Sequence, residues 1–414
     1  MELLYILLVL LVLTRGFGEI AIRFKQPPLV GELLAGILLG MVAGHFSGTF
    51  PVLADLTDNE VFMSLTDLGI FFLMLLGGIE MRPRQIVQES GGSLIVALSA
   101  MLLPLGAGLA LGYIFLPESE YKLAQALFLG TGLAITAVPV AIRVLLDLNL
   151  LDTRPGQLIV SAAVYDDILS LVLLAVLTGI IKTGGLPDLQ SLLFLIGQIL
   201  IFGVVTVALG LYVLPRVHKK IMRYVKLDEL ELSLLLIVAL GFSVLAEHLG
   251  MHFILGAFAA GLFFSRRVIE DKVYEEVKQK ISGITTGFLA PLFFASIGMH
   301  LDLSAFTAIP LFLFVLIAVA FLTKLVGASV PARLIGLSGR NSLAVGVAMS
   351  SRGAVELIIA DIALRAGLFE LPDPAPPIIA NMFSAIVIVA IITTVVVPIV
   401  MRPLMSGRSG HKRR

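Results

Sequence analysis

Two adjacent carboxylates, Asp166 and Asp167, lie in the middle of an apolar run that extends from Leu158 to Leu177. This run is long enough to cross a bilayer, which takes about 20 residues. An ionised side chain near the bilayer centre costs at least ~3 kcal/mol, so neighbouring carboxylates must be paired, hydrated or protonated. The pair therefore predicts an ion or proton site. The alternative is two carboxylates that only anchor a helix bundle.

A lysine, Lys324, lies equally deep in a second apolar run, from Ala318 to Gly327. An ionised lysine at that depth needs a counter-ion, and the aspartate pair offers two. Successive residues on a helix diverge by about 100°, so both aspartates cannot face the same partner. We expect one aspartate to pair with Lys324 and the other to face a water-filled cavity. Such a carboxylate can bind either a proton or a cation. Competition between the two for one carboxylate is the simplest form of exchange transport.

The composition predicts a membrane protein. The chain is 58% hydrophobic and 14% charged, with a mean hydropathy of +1.04, whereas soluble domains are roughly 25% charged. The absence of cysteine excludes a disulfide scaffold, thiolate metal sites and thiol nucleophiles. Glu2 stands where a signal peptide would have a basic region, and no cleavage site follows, so the first segment reads as a retained span.

Apolar runs near 20 residues predict thirteen transmembrane helices. They are expected at about 3–24, 28–48, 61–80, 90–116, 122–147, 155–182, 189–214, 228–248, 252–265, 280–299, 305–332, 341–367 and 376–401. With the C-terminus in the cytoplasm, 23 of the 29 Lys and Arg residues fall on the cytoplasmic side. This asymmetry agrees with the positive-inside rule. It predicts an N-terminus outside and a C-terminus in the cytoplasm.

Three pairs of segments resemble each other in the same order. They are Gly31–Leu39 with Gly256–Phe264, Phe71–Met81 with Phe293–Leu301, and Gly132–Thr136 with Gly346–Ser350. Convergent small-residue packing is the alternative for any single pair. The shift of seven spans predicts an inverted-topology repeat with a site between the halves. The predicted membrane domain, 1–402, comprises repeat one (about 3–182), a linker helix (189–214) and repeat two (about 228–401), followed by a basic tail at 403–414.

The repeat also predicts two broken, crossing helices. In span five, Thr136, Ala137 and Val138 precede Pro139, which lacks a backbone donor. In span twelve, Ser350, Ser351 and Arg352 precede Gly353 at the equivalent depth. If both helices open there, their free carbonyls face a cation and their free N–H groups face carboxylates. A simple proline kink without a site is the alternative.

These features together resemble the membrane domain of the monovalent cation:proton antiporter-2 family over essentially the whole chain. The resemblance implies an all-α antiporter fold in the inner membrane of a bacterium or archaeon, and the aspartate pair implies electrogenic exchange of Na⁺ or Li⁺ for H⁺. By that resemblance Asp167 binds Na⁺ and protons, and Asp166 pairs with Lys324. Thr136 and the carbonyls of 137–139 complete the ion shell, with Ser161 a weaker candidate. It also implies a homodimer in which spans 5, 6, 11, 12 and 13 move against the remaining spans.

Several other residues carry weaker predictions. Arg352 and Glu356 are four residues apart and are expected to neutralise each other, and Glu32 is a candidate entrance charge. Exchange of K⁺ for H⁺ on the same scaffold is the alternative function, and a channel or sensory module is a further one. No enzyme activity, cofactor, nucleic acid or nucleotide-binding domain is expected. The basic tail is expected to contact anionic membrane lipids.

Overall fold

The protein is helical throughout the part that the computed structural model describes. The described residues are 2–45, 56, 59–81, 90–136, 145, 150, 153–183, 189–224, 229–264 and 269–406. Within these ranges no residue belongs to a strand. The all-α fold class that the sequence predicts is therefore confirmed.

The helices follow one another with short connections. They are α1 (Glu2–Arg23), α2 (Pro28–His45), α3 (Glu60–Glu80), α4 (Ser90–Phe115), α5 (Lys122–Ala134), α6 (Arg154–Thr183), α7 (Leu189–Ala208), α8 (Leu214–Tyr224), α9 (Leu230–His248), α10 (Ile254–Phe263), α11 (Asp271–Ile284), α12 (Ala290–Met299), α13 (Ala305–Ala308), α14 (Pro310–Leu334), α15 (Gly339–Met349), α16 (Ala354–Arg365), α17 (Pro377–Ala380) and α18 (Met382–Ser406). Two π-helical turns, Leu209–Val213 and Thr285–Leu289, join α7 to α8 and α11 to α12.

Each of the thirteen predicted spans contains a helix among the described residues. Within the described residues, ten helical stretches are long and apolar enough to cross a membrane, counting α11 with α12 and α15 with α16 as one stretch each, and α2 and α10 are shorter apolar helices. In the fifth predicted span the described helix, α5, has only 13 residues. The multi-pass membrane architecture is therefore confirmed, while the number of crossings stays a prediction.

Polar side chains mark where several helices begin. The side chain of Asn59 accepts hydrogen bonds from the amides of Val61 and Phe62 at the start of α3, both at 3.1 Å. Ser338 accepts one from the amide of Asn341 at the start of α15. These bonds satisfy amides that have no partner inside the first turn of a helix.

The chain forms two compact units, each drawn from both halves of the sequence. The first unit contains the described residues within Met1–Arg15, Ala35–Pro83 and Pro187–Met299. The second contains those within Gly16–Leu34, Arg84–Leu186 and His300–Arg414. The helices of predicted spans 5, 6, 11, 12 and 13 all fall in the second unit, together with α4.

In the first unit, glycines allow helices to pack backbone to backbone. A side chain on Gly36 of α2 would collide with the carbonyl of Ala295 on α12. A side chain on Gly261 of α10 would collide with the carbonyl of Leu75 on α3. Because overpacking at such a crossing forces the helices apart, these positions require glycine.

The two glycine contacts are related by the offsets of the predicted repeat. Gly36 and Gly261 are 225 residues apart, which is also the separation of Gly31 and Gly256 in the first matched pair of segments. Leu75 and Ala295 are 220 residues apart, which is also the separation of Met81 and Leu301 at the end of the second pair. A second pair of contacts has the same relation: Gly31 packs on the backbone of Phe17 and Gly18, and Gly256 packs on that of Phe242 and Ser243. The repeat stays a prediction, and these reciprocal contacts are the structural observation that favours it.

The second unit has an apolar core built from small and aliphatic side chains. The fully buried members come from α4, α6, α14, α15 and α18, and include Ala97, Ala162, Ala328, Ala344 and Val397. Small residues let these helices approach closely, as is typical of helix packing in membranes. The core fixes the elements that carry Asp166 and Lys324.

The close contact at Gly36 can be tested by adding a single methyl group. We expect Gly36→Ala to destabilise the protein by about 1–3 kcal/mol, because the methyl group overlaps the Ala295 backbone. The matched control is Gly77→Ala on α3, where nothing lies within 4 Å and alanine favours the helix. Thermal unfolding in detergent measures both. Equal melting temperatures for the two variants would contradict the crossing.

Candidate functional site

A buried ion pair joins α6 to α14. The ammonium nitrogen of Lys324 lies 3.5 Å from Oδ1 of Asp166, and both side chains are essentially inaccessible to solvent. Lys324 also donates a hydrogen bond to the hydroxyl of Thr136, which follows the end of α5. The lysine therefore contacts two of the predicted site residues, and the predicted Asp166–Lys324 contact is present.

Asp166 keeps one oxygen outside this pair. Its Oδ2 is buried and accepts no hydrogen bond from the described part of the chain. Buried polar atoms normally have a partner, because an unpaired one pays the full cost of desolvation. This half of the carboxylate is therefore the part able to hold a proton or contact an ion.

The neighbouring candidates lie on the same helix. The backbone of Asp167 continues α6, whereas its side chain lies outside the described structure. Ser161 is buried on α6, five residues before Asp166. The assignment of both to the ion shell stays a prediction.

The twelfth predicted span is interrupted where the sequence predicts it. α15 ends at Met349, α16 begins at Ala354, and Ser350, Ser351 and Gly353 lie between them. The hydroxyls of Ser350 and Ser351 donate to carbonyls of the preceding turn, Gly346 and Ala348, at 2.8 and 2.9 Å. These serines thus cover carbonyls at the C-terminal end of α15.

The interruption places Arg352 against the end of α5. Its guanidinium donates to the carbonyl of Gly132 and, at 2.8 Å, to that of Leu133. Both carbonyls belong to the last turn of α5, where an α-helix leaves its carbonyls without partners. A positive charge also opposes the negative end of the helix dipole. Arg352 therefore caps α5 and ties it to the segment between α15 and α16.

Arg352 has further partners of its own. Its guanidinium lies 3.0 Å from Oε1 of Glu356, and both side chains are completely buried. Its backbone carbonyl accepts a 2.6 Å hydrogen bond from the hydroxyl of Thr394 on α18. The pairing of Arg352 with Glu356 is as predicted, while the capping of α5 was not foreseen.

The charges in this region balance. Two fully buried cations, Lys324 and Arg352, lie beside two fully buried carboxylates, Asp166 and Glu356. Buried pairs of opposite charge reduce a desolvation penalty of several kcal/mol for each ion. The four described groups therefore leave no net charge at the site.

The structure places the remaining predicted residues only in part. Ala137, Val138 and Pro139 lie outside the described residues. Glu32 is buried on α2, where it packs beside Gly18 of α1. Its role as an entrance charge stays a prediction.

Sequence reasoning missed the groups that hold Arg352. The Gly132 and Leu133 carbonyls are backbone atoms, so no residue type identifies them. Thr394 had a visible signal: Thr393 and Thr394 are hydroxyl residues within the apolar run of the last predicted span. Threonine in a membrane helix often bonds to its own preceding turn, as Thr393 does with Val389, so the signal was ambiguous.

Known proteins resemble this chain over nearly its full length. The profile of the family "Sodium/hydrogen exchanger, transmembrane" matches residues 6–407. The Na⁺/H⁺-K⁺ antiporter GerN of Bacillus cereus is 31% identical, over 97% of this chain and 95% of the relative. The Na⁺/H⁺ antiporter of Enterococcus hirae is 29% identical, over 97% of this chain and 98% of the relative.

A solved structure has a similar fold. The sodium proton antiporter MjNhaP1 from Methanocaldococcus jannaschii superposes with a TM-score of 0.69, covering 98% of each chain at 19% identity. At that identity the likeness speaks to the fold. It agrees with the all-helical membrane architecture described above.

The capping role of Arg352 predicts a large effect on stability. We expect Arg352→Gln to lose about 3–5 kcal/mol, because Glu356 would keep an uncompensated buried charge. The double variant with Glu356→Gln should recover part of that loss. The matched control is Arg23→Gln, which removes an exposed pair with Glu19 of the same spacing and should cost below about 1 kcal/mol. Thermal unfolding distinguishes them, and similar losses for both arginines would refute the cap.

Proposed function

Because the chain belongs to the sodium/hydrogen exchanger family, we propose that it is a secondary antiporter that exchanges Na⁺ or Li⁺ for H⁺. The names of the relatives from Bacillus cereus and Enterococcus hirae both describe Na⁺/H⁺ antiporters. The protein spans the membrane several times. The transported cation and the proton are its substrates, and they compete for the same carboxylate.

The observation that carries the proposal is the buried pair of Asp166 and Lys324 beside the end of α5. A lysine and a carboxylate fully removed from water are costly to keep, and such groups in membrane spans mark ion and proton pathways. The pair can release a proton when the lysine or the aspartate changes partner. A purely structural pair would not need to lie next to an interrupted helix.

The balance of buried charges supports Asp167 as the cation-binding group. Lys324 and Arg352 are matched by Asp166 and Glu356. A further carboxylate at this depth, such as Asp167, adds a negative charge that these groups do not neutralise. A bound Na⁺ or a bound proton neutralises it, and one excludes the other. Competition between the two is the basis of exchange.

The remaining ligands of the cation come from oxygen atoms near the interrupted helices, since Na⁺ is a hard cation. Thr136 has a hydroxyl oxygen with two lone pairs, one of which accepts the bond from Lys324. The carbonyls of 137–139 and the hydroxyl of Ser161 are further candidates. The cation would then contact Thr136 and Asp167, while Lys324 links Thr136 to Asp166.

Transport follows alternating access, in which the site opens to one side of the membrane at a time. Two protons exchange for one Na⁺ if Lys324 or Asp166 releases the second one. The N-terminus lies outside and the C-terminus in the cytoplasm, and two copies form a homodimer. The loop charges support this orientation.

A second candidate, K⁺/H⁺ exchange, is favoured by one relative. The name of GerN includes K⁺ beside Na⁺. Selectivity between these ions depends on cavity size and oxygen placement rather than on the carboxylates. Both ions therefore belong in the same assay.

Exchange can be measured by dequenching of a pH-sensitive dye in proteoliposomes. We expect NaCl to give a signal with the native protein and none with Asp167→Asn, because the amide cannot bind a proton or neutralise a cation. The matched control is Asp302→Asn, an exposed residue whose side chain accepts hydrogen bonds from the amide and the hydroxyl of Ser304, and it should leave the signal unchanged.

Each result of this assay decides between functions. A signal with KCl but none with NaCl assigns the protein to K⁺/H⁺ exchange. A full Na⁺ signal from Asp167→Asn rejects this residue as the carrier. No signal with either salt from folded native protein rejects exchange altogether.

The stoichiometry predicts a response to membrane potential. If Lys324 supplies the second proton, Lys324→Gln should exchange one proton for one Na⁺, and no net charge would move. Na⁺ uptake by the native protein should then change with an imposed potential, whereas uptake by the variant should not. Parallel responses of both proteins to the potential would exclude Lys324 as the source.

A further inference from the structure

A basic amphipathic helix follows the most exposed membrane helix of the described structure. In an 18-residue window of the span Ile196–Val217 only 17% of the residues are buried, less than in any of the other nine candidate spans. This helix continues through the π-helical turn Leu209–Val213 into α8, whose sequence contains four Lys and Arg residues and no acidic one.

The length of this helical path carries α8 beyond the hydrocarbon. The path from Leu189 to Tyr224 is about 50 Å long at ~1.5 Å per residue. The hydrocarbon core is only ~30 Å thick. If α7 begins at one interface, α8 lies at the headgroups of the opposite leaflet, which the loop charges predict to be cytoplasmic.

The register of α8 separates basic from apolar residues. At about 100° per residue, the basic face comprises Arg216, Lys219, Lys220 and Arg223, which fall within roughly a third of the circumference. Leu214, Val217, Ile221 and Tyr224 fall within a neighbouring sector. Arg216 and Lys220 are both exposed, and so is Val217. Such a helix is typical of those that lie in a membrane interface.

The turn before α8 places side chains at the same level. Tyr212 is 61% exposed, and aromatic rings of this kind are enriched at the membrane–water interface. Arg216 donates to the carbonyl of Tyr212, a residue of the π-helical turn. This hydrogen bond holds the guanidinium of Arg216 next to the backbone of Tyr212, at the start of the basic face.

We propose that the basic face of α8 binds the phosphate of anionic phospholipids in the cytoplasmic leaflet, with the apolar sector of α8 resting on their acyl chains. Clusters of four or more Lys and Arg residues directly after a membrane helix attract anionic headgroups. This site is separate from the ion site and does not depend on the proposed exchange.

The test compares lipid preference in reconstituted full-length protein. Spin-labelled phosphatidylglycerol and phosphatidylcholine report how strongly each lipid is retained at the protein surface in phosphatidylcholine vesicles. We expect the native protein to prefer phosphatidylglycerol, and the preference to fall as salt rises. Arg216→Gln with Lys220→Gln should weaken the preference by roughly fivefold per charge removed.

The matched control removes two exposed lysines from other parts of the predicted cytoplasmic surface, Lys25→Gln with Lys272→Gln, and should keep the preference. Lys220→Gln alone serves if the double variant unfolds. An unchanged preference in the α8 variant, or a loss in the control as large as in that variant, overturns the site. Displacement of the lipid by inorganic phosphate at constant ionic strength would show a free-anion site instead, and likewise overturns it.

Discussion

The desolvation of charge is the constraint on which the second unit depends. Lys324, Asp166, Arg352 and Glu356 are all removed from solvent, and none would be stable there alone. Each therefore lies within reach of an opposite charge. The Asp166–Lys324 pair connects α6 with α14, and Arg352 brings the segment between α15 and α16 to the end of α5 by donating to the carbonyl of Gly132. These buried charges are consequently part of what holds the helices together, so a change of charge acts on the packing as well.

The backbone carbonyls at helix ends in the second unit are also polar groups removed from water, and they too are satisfied by buried side chains. A helix that ends inside a membrane leaves carbonyls without partners, and lipid supplies none. Arg352 satisfies two carbonyls of α5, and the hydroxyls of Ser350 and Ser351 satisfy two of α15. Side-chain donors of the protein thus replace the partners that lipid cannot supply.

The packing of the first unit depends on glycine rather than on charge. Gly36 and Gly261 allow equivalent close contacts, with Ala295 and Leu75, at offsets that match the predicted repeat. Contacts of this kind need no charged partner, because glycine lets two helix backbones approach directly. The first unit therefore depends at these crossings on backbone packing, whereas the second unit also depends on buried ion pairs.

The sequence by itself determined the membrane class, predicted a helix in each apolar run and paired Lys324 with one of the two aspartates. That this partner is Asp166 was implied by the family resemblance. Apolar runs, and charges isolated within them, each change the free energy of insertion into a bilayer strongly, so they can be recognised from the sequence alone. The interruption between Met349 and Ala354 was indicated by polar residues and a glycine within such a run. Only the tertiary structure decided that Arg352 caps α5 at Gly132 and Leu133, that Thr394 holds the carbonyl of Arg352, and that Thr136 accepts from Lys324. The contacts of Arg352 join residues up to 220 positions apart through backbone carbonyls, which carry no signature in the sequence. The bond between Lys324 and Thr136 joins two side chains 188 positions apart, and no local pattern brings them together.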